Sequence, residues 1–123
     1  MTAAFCLAWN WEYDASFARL LEAACARQGL TLLQVTPQNL DAALASLGKG
    51  ELGFRALLDR ASDSDPRFQP FVDWAKSQNI TRINPQEHAR WAWDKATMHL
   101  EFITRGLHTP HTIILPPFSE QPY

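Results

Sequence analysis

Four short apolar runs, at residues 3–9, 30–35, 54–58 and 80–83, alternate with stretches of helical periodicity, and no other feature limits the fold as strongly. Near-continuous apolar runs of this length fit strands covered on both faces, as in a parallel sheet. Between the runs, apolar residues return at i, i+3, i+4 and i+7. Phe17, Leu20, Leu21 and Ala24 form the first such face, Leu40, Ala43, Leu44 and Leu47 the second, and Phe68, Phe71, Val72 and Ala75 the third. Parallel strands joined by helices need right-handed crossovers. The order strand–helix, repeated three times and closed by a strand, predicts an α/β fold: a small open parallel sheet (βαβαβαβ) with helices on both faces.

The punctuation agrees with that order. Asp14 stands where it can cap the first helix, and Gly29 where it can end it in the left-handed conformation. Thr36-Pro37 opens the second helix, and Gly48 and Gly50 close it. Asp65-Pro66 opens the third, with Asn79 as its left-handed C-cap. No internal sequence repeat, low-complexity segment or flexible linker interrupts the chain.

Residues 83–116 carry the densest set of signals. Asn84 can cap a fourth helix, Pro85 suits its first position, and Glu87 sits where a capping-box acid would. Trp91 and Trp93 are two apart and cannot share a helix face, so one reads as core and the other as surface or interface. Asp94 can cap a fifth helix that Gly106 ends. Thr109-Pro110 forces extended backbone before Thr112, Ile113, Ile114 and Leu115, which read as a strand. Few residues follow it, so this strand reads as the opening of a second unit that is cut short.

At 123 residues the chain makes one domain, or one domain and the beginning of another. Hydrophobic residues form 46% of it, with five Trp and seven Phe, enough for a substantial core. A net charge of -2 without a run of Lys or Arg gives no electrostatic basis for nucleic-acid binding. No apolar run approaches the ~20 residues of a membrane span, and the N-terminus lacks the pattern of a signal peptide. Cys6 and Cys25 read as buried free thiols, and the protein as cytoplasmic.

Ligands of open parallel sheets gather beyond the carboxyl ends of the strands. Those ends here supply Trp9, Asn10, Trp11 and Glu12, then Thr36 and Pro37, then Asp59, Arg60 and Asp63, then Asn84. Polar, aromatic and charged groups therefore meet on one rim. Arg60 suits a carboxylate or phosphate, and the acids suit an amine. The plainer reading pairs Asp59 with Arg60 or has it cap a turn, and has Asp63 or Asp65 cap a helix. The sheet is Rossmann-like in pattern only, because neither G-x-G-x-x-G nor G-x-x-x-x-G-K-[ST] occurs. His108 and His111 have no Cys or carboxylate cluster to complete a zinc site, and neither cysteine has the surroundings of a catalytic thiolate. Lys95 sits in a helix's first turn, against the preference of the dipole there; a phosphate bound at that end would use both the ammonium and the free backbone N–H groups. Left without a phosphate, it is a solvated lysine beside Asp94 or Glu101.

Ile83-Asn84-Pro85, then Asp94-Lys95, then Gly106-Leu107-His108-Thr109-Pro110-His111-Thr112 resemble the junction between the pre-ATP-grasp domain and the ATP-binding domain of ATP-grasp enzymes. The upstream alternation of strands and helices resembles the pre-ATP-grasp fold, so the likeness spans the chain. It implies a pre-ATP-grasp domain at residues 1–93 and, at 94–123, a linker helix with the first strand of a truncated ATP-grasp domain. The activity implied is that of a carboxylate–amine or carboxylate–thiol ligase that activates a small-molecule carboxylate as an acylphosphate. Lys95 would contact ATP phosphates, and the strand-end rim would wall the substrate cleft. ATP and Mg2+ would serve the full-length parent, whose second lysine, adenine contacts and magnesium ligands do not fit after Thr112. This chain alone is then inactive and binds neither, and its partner is the remainder of the protein. The uncovered C-terminal helix and strand would fold back on the sheet or pair with a second copy. A different class remains open: a stand-alone α/β domain that binds a small ligand or a protein partner. A small enzyme using Asp59, Arg60 and Asp63 directly would lack a base–nucleophile pair.

Overall fold

A computed structural model describes residues 1–120. By contacts the chain divides into two compact units, Met1–Gln86 and Glu87–Tyr123. This division falls one helix ahead of the 93/94 boundary read from the sequence.

The first unit is mixed α/β. Its main sheet has four parallel strands in the order β3-β2-β5-β6: β2 (Phe5–Trp9), β3 (Leu32–Val35), β5 (Ala56–Arg60) and β6 (Thr81–Ile83). Two features were not legible in the sequence. The first apolar run bends at Ala4, so that β1 (Thr2–Ala3) is separate and pairs in parallel with β4 (Gly53–Phe54). The third run breaks at Arg55 in the same way, and the two breaks match because β1 and β4 leave the main sheet together.

Side-chain alternation along β2 divides its neighbours. Cys6 and Ala8 join Val35 and Leu57 in one buried cluster with Leu40, Ala43 and Leu47 of α2 (Leu40–Gly48) and Phe71 and Ala75 of α3 (Gln69–Ser77). Phe68, in the 3-10 turn just before α3, is in the same cluster. Phe54 stacks on Phe71 at 5.3 Å and meets Trp74 at 5.2 Å, within the range of favourable aromatic pairs. Leu7 points to the opposite face, and it too is fully buried. The inward residues expected for α2 and α3 are the ones found.

The helix α1 (Ala15–Arg27) differs. Its buried positions are Ala18 and Cys25, while Leu20 is 70% exposed and Phe17 lies at the surface. The apolar periodicity holds two overlapping stripes, and the packed one is that of the small residues, which let a helix approach the sheet closely. The expectation that Phe17 and Leu20 face the core is corrected accordingly.

Helix ends follow the punctuation. Gly29, Gly50 and Asn79 adopt positive φ after α1, α2 and α3. After α1, the Leu30 N–H donates to the Cys25 carbonyl at 2.8 Å and the Gly29 N–H to that of Ala26 at 3.1 Å, the paired bonds of a Schellman end. Asn79 closes α3 in the same way, since its short polar side chain tolerates this conformation.

The second unit holds most of α4 (Gln86–Trp93), all of α5 (Lys95–Thr104), and chain that is irregular up to a 3-10 turn at Phe118–Glu120. The Asp94 carboxylate accepts from the N–H groups of Ala96 and Thr97, and Gly106 ends α5 with another Schellman pair. Three expectations are corrected. Asn84 has φ 53, which is left-handed, whereas a helix N-cap is extended. Trp91 and Trp93 are both exposed, and neither is core. Thr112 to Leu115 forms no strand, because a strand needs a neighbour to accept its hydrogen bonds and none is paired with it.

Candidate functional site

In the order β3-β2-β5-β6 the chain leaves β2 toward one edge and then crosses back past β2 to reach β5. The carboxyl ends of β2 and β5 therefore flank the switch point, where Trp9 and Arg60 are register partners. A cleft of about 340 Å³ opens beside it, over the ends of β2 and β3, lined by Trp9, Asn10, Glu12, Ala15, Thr36, Pro37 and Gln38.

Each wall has a local cause. Trp9 ends β2, and its indole N–H donates to Gln34 Oε1 at 3.2 Å, which ties it to β3. The Asn10 amide donates to Ser64 Oγ at 3.2 Å. Glu12 opens a 3-10 turn, Glu12–Asp14, that runs directly into α1. On the β3 side, the Thr36 N–H donates to Asn39 Oδ1 at 2.7 Å while the Asn39 amide donates to the Gln34 carbonyl at 2.9 Å. That pair holds the Thr36–Gln38 turn against the strand end.

The remaining rim residues expected from the sequence separate into different roles. Arg60 does not pair with Asp59. Its Nη2 donates to Asp14 Oδ1 at 2.8 Å and its Nε to Oδ2 at 3.1 Å, and its guanidinium lies 5.1 Å from the centre of the Phe17 ring. Hydrogen bonding to Asp14, then the charges of Asp14 and Asp63, hold Arg60 more firmly protonated than a free arginine. Asp59 caps the turn after β5: its Oδ1 accepts from the N–H groups of Ala61 and Ser62, both at 3.0 Å, and its Oδ2 from the Ser62 hydroxyl. Asp63 and Trp11 are exposed, Trp11 meeting Tyr13 edge-on at 5.1 Å. Asn84 lies exposed past the end of β6. None of Trp11, Asp59, Arg60, Asp63 and Asn84 lines the cleft.

Asp14 is the residue sequence reasoning misassigned. It occupies the position before α1, but its backbone is helical and its carboxylate caps nothing. It is 5% exposed and serves Arg60 instead. The signal was present: Asp14 and Phe17 are three apart, so one turn of helix aims both at the same guanidinium. Gln34 and Gln38 were also missed, although a glutamine inside the apolar run at 30–35 marks a strand position with a polar task.

Compared with known proteins, the chain matches no family, no curated protein and no solved structure.

Lys95 opens α5 in the second unit and is exposed. The two acids near it in sequence have other tasks, Asp94 capping its own helix and Glu101 pairing with Arg105 at 3.0 Å. Among the described residues no three His, Cys, Asp or Glu side chains converge on a point. Among them, too, no helix is long and apolar enough to cross a membrane.

Proposed function

We propose that the first unit is the substrate-side domain of an ATP-grasp ligase-like protein, with a Rossmann-like arrangement of helices on both faces of its sheet. The observation that carries this reading is the cleft at the carboxyl ends of β2 and β3, next to the switch point, where open parallel sheets place small molecules. The capped helix from Asp94 to Gly106, with Lys95 in its first turn, supports it as the lead into an ATP-binding domain. Catalysis would then need groups from outside this chain. Residues 94–123 would belong to the ATP-binding part and pair with the rest of it or with a second copy.

The coding sequence beyond the Tyr123 codon tests this. Continuation into a lysine-bearing strand and a late Glu-x-Asn magnesium site is expected, and an in-frame stop would overturn the ligase reading. Thermal shift of the 123-residue chain with ATP and Mg2+ should show no stabilisation, since binding shifts the folding equilibrium only where a site exists.

A second reading has its own support. Every residue lining the cleft falls between Trp9 and Gln38, inside the first unit. A ligand could bind there without help from any other domain, as in a stand-alone small-molecule-binding protein.

A further inference from the structure

We infer that the cleft takes a cationic ligand, a small primary amine with an apolar body, and not a carboxylate or phosphate. This rests on the cleft being the ligand site, and not on the ligase assignment.

Three donor groups of the lining and the neighbouring Arg60 already have partners, which leaves the Gln38 amide and the Thr36 hydroxyl as neutral donors. The Trp9 indole N–H is bonded to Gln34, the Asn10 amide to Ser64, the Thr36 N–H to Asn39 and the Arg60 guanidinium to Asp14. The one charged side chain among the lining residues is Glu12, which is exposed. The first turn leading into α1 would attract an anion through its dipole, but Glu12 and Asp14 stand there and supply that charge themselves. An incoming carboxylate would thus meet a like charge and no free cation. An incoming ammonium, which only donates, would find the Glu12 carboxylate. The Trp9 ring, Ala15 and Pro37 form an apolar wall for the rest of such a molecule.

The sequence left the rim open to a carboxylate or phosphate at Arg60 or to an amine at its acids. In the fold that guanidinium is committed to Asp14. In the ligase reading the cleft would therefore hold the amine, or the amino end of an amino acid.

The test is an NMR titration of the 123-residue chain with a matched series: 3-phenylpropylamine, 3-phenylpropionate and 3-phenylpropanol. The readout is the Trp9 indole N–H resonance, assigned with Trp9→Phe. The amine should shift it saturably, about threefold more tightly than the alcohol, the scale of a solvent-exposed ion pair. The propionate should bind more weakly than the alcohol. Glu12→Gln should remove the amine's advantage over the alcohol. Propionate binding as well as the amine, or an advantage that survives Glu12→Gln, would overturn the inference and leave the cleft a ligand site. If no compound moves the Trp9 signal, the cleft is not a ligand site, and the functional reading built on it fails as well.

Discussion

Arg60, at the end of β5, grips Asp14, ahead of α1, through two hydrogen bonds of 2.8 and 3.1 Å. The contact spans the switch point and joins two segments 46 residues apart. It also commits the guanidinium that could otherwise receive an anion, and Glu12 is the one charged side chain among the residues lining the cleft.

The pair is asymmetric, and stability should report it. Asp14's side chain is 7% exposed and Arg60's 42%. Arg60→Ala strands a carboxylate that water barely reaches, and should cost about 3 kcal/mol in urea denaturation. Asp14→Asn leaves a guanidinium able to turn to solvent, and should cost about 1 kcal/mol. The reverse order would show that Asp14 is better hydrated than its burial implies.

Asp59 holds a turn and should have no part in binding. Asp59→Ala removes the acceptor for two backbone N–H groups, with a loss of about 1–2 kcal/mol. Asp59→Asn keeps an acceptor oxygen and should recover about half of that. Neither change should move the Trp9 titration; a shifted binding curve in Asp59→Asn would place Asp59 in the site after all.

Acid should weaken the protein through two carboxylates. Arg67 holds the Asp65 carboxyl below its ordinary range, and hydrogen bonds from Thr97 do the same for Asp94. In the unfolded chain each takes up its proton at about pH 3.9, before the folded form does. Their stabilisation is therefore present above about pH 4 and is lost as pH falls further, through the lowered folded values. Asp65→Asn and Asp94→Asn should each flatten the acid limb of stability against pH, measured by denaturation between pH 7 and 3. An unchanged limb in both would remove these groups as its cause.

Both thiols should be silent in the native protein. Burial, and secondarily the charge of Asp59, push the Cys6 thiol far up, and Cys25 is 6% exposed. A disulfide reagent at pH 8 should label neither within minutes and both after denaturation, since only the thiolate reacts. Rapid native labelling of Cys6 would mean that β2 opens locally.

The alternating apolar runs and the helix punctuation were enough, without coordinates, to place the strands of the parallel sheet and the inward faces of α2 and α3. Gly29, Gly50, Asn79, Asp94 and Gly106 act where the sequence puts them, because a left-handed residue or a capping oxygen acts within one turn of its own position. The strand-end rule likewise picked out Trp9, Asn10, Glu12, Thr36 and Pro37 as neighbours of one cleft. Partners distant in sequence were not legible. Whether Arg60 meets Asp59, Asp14 or a ligand depends on how α1 docks on the sheet. Which stripe of α1 is buried, Ala18 and Cys25 or Phe17 and Leu20, depends on how close that docking is. Local rules settle what a residue does to its own backbone. The charge a cleft presents is a sum over groups that only packing brings together, and here packing spends the arginine and leaves the glutamate.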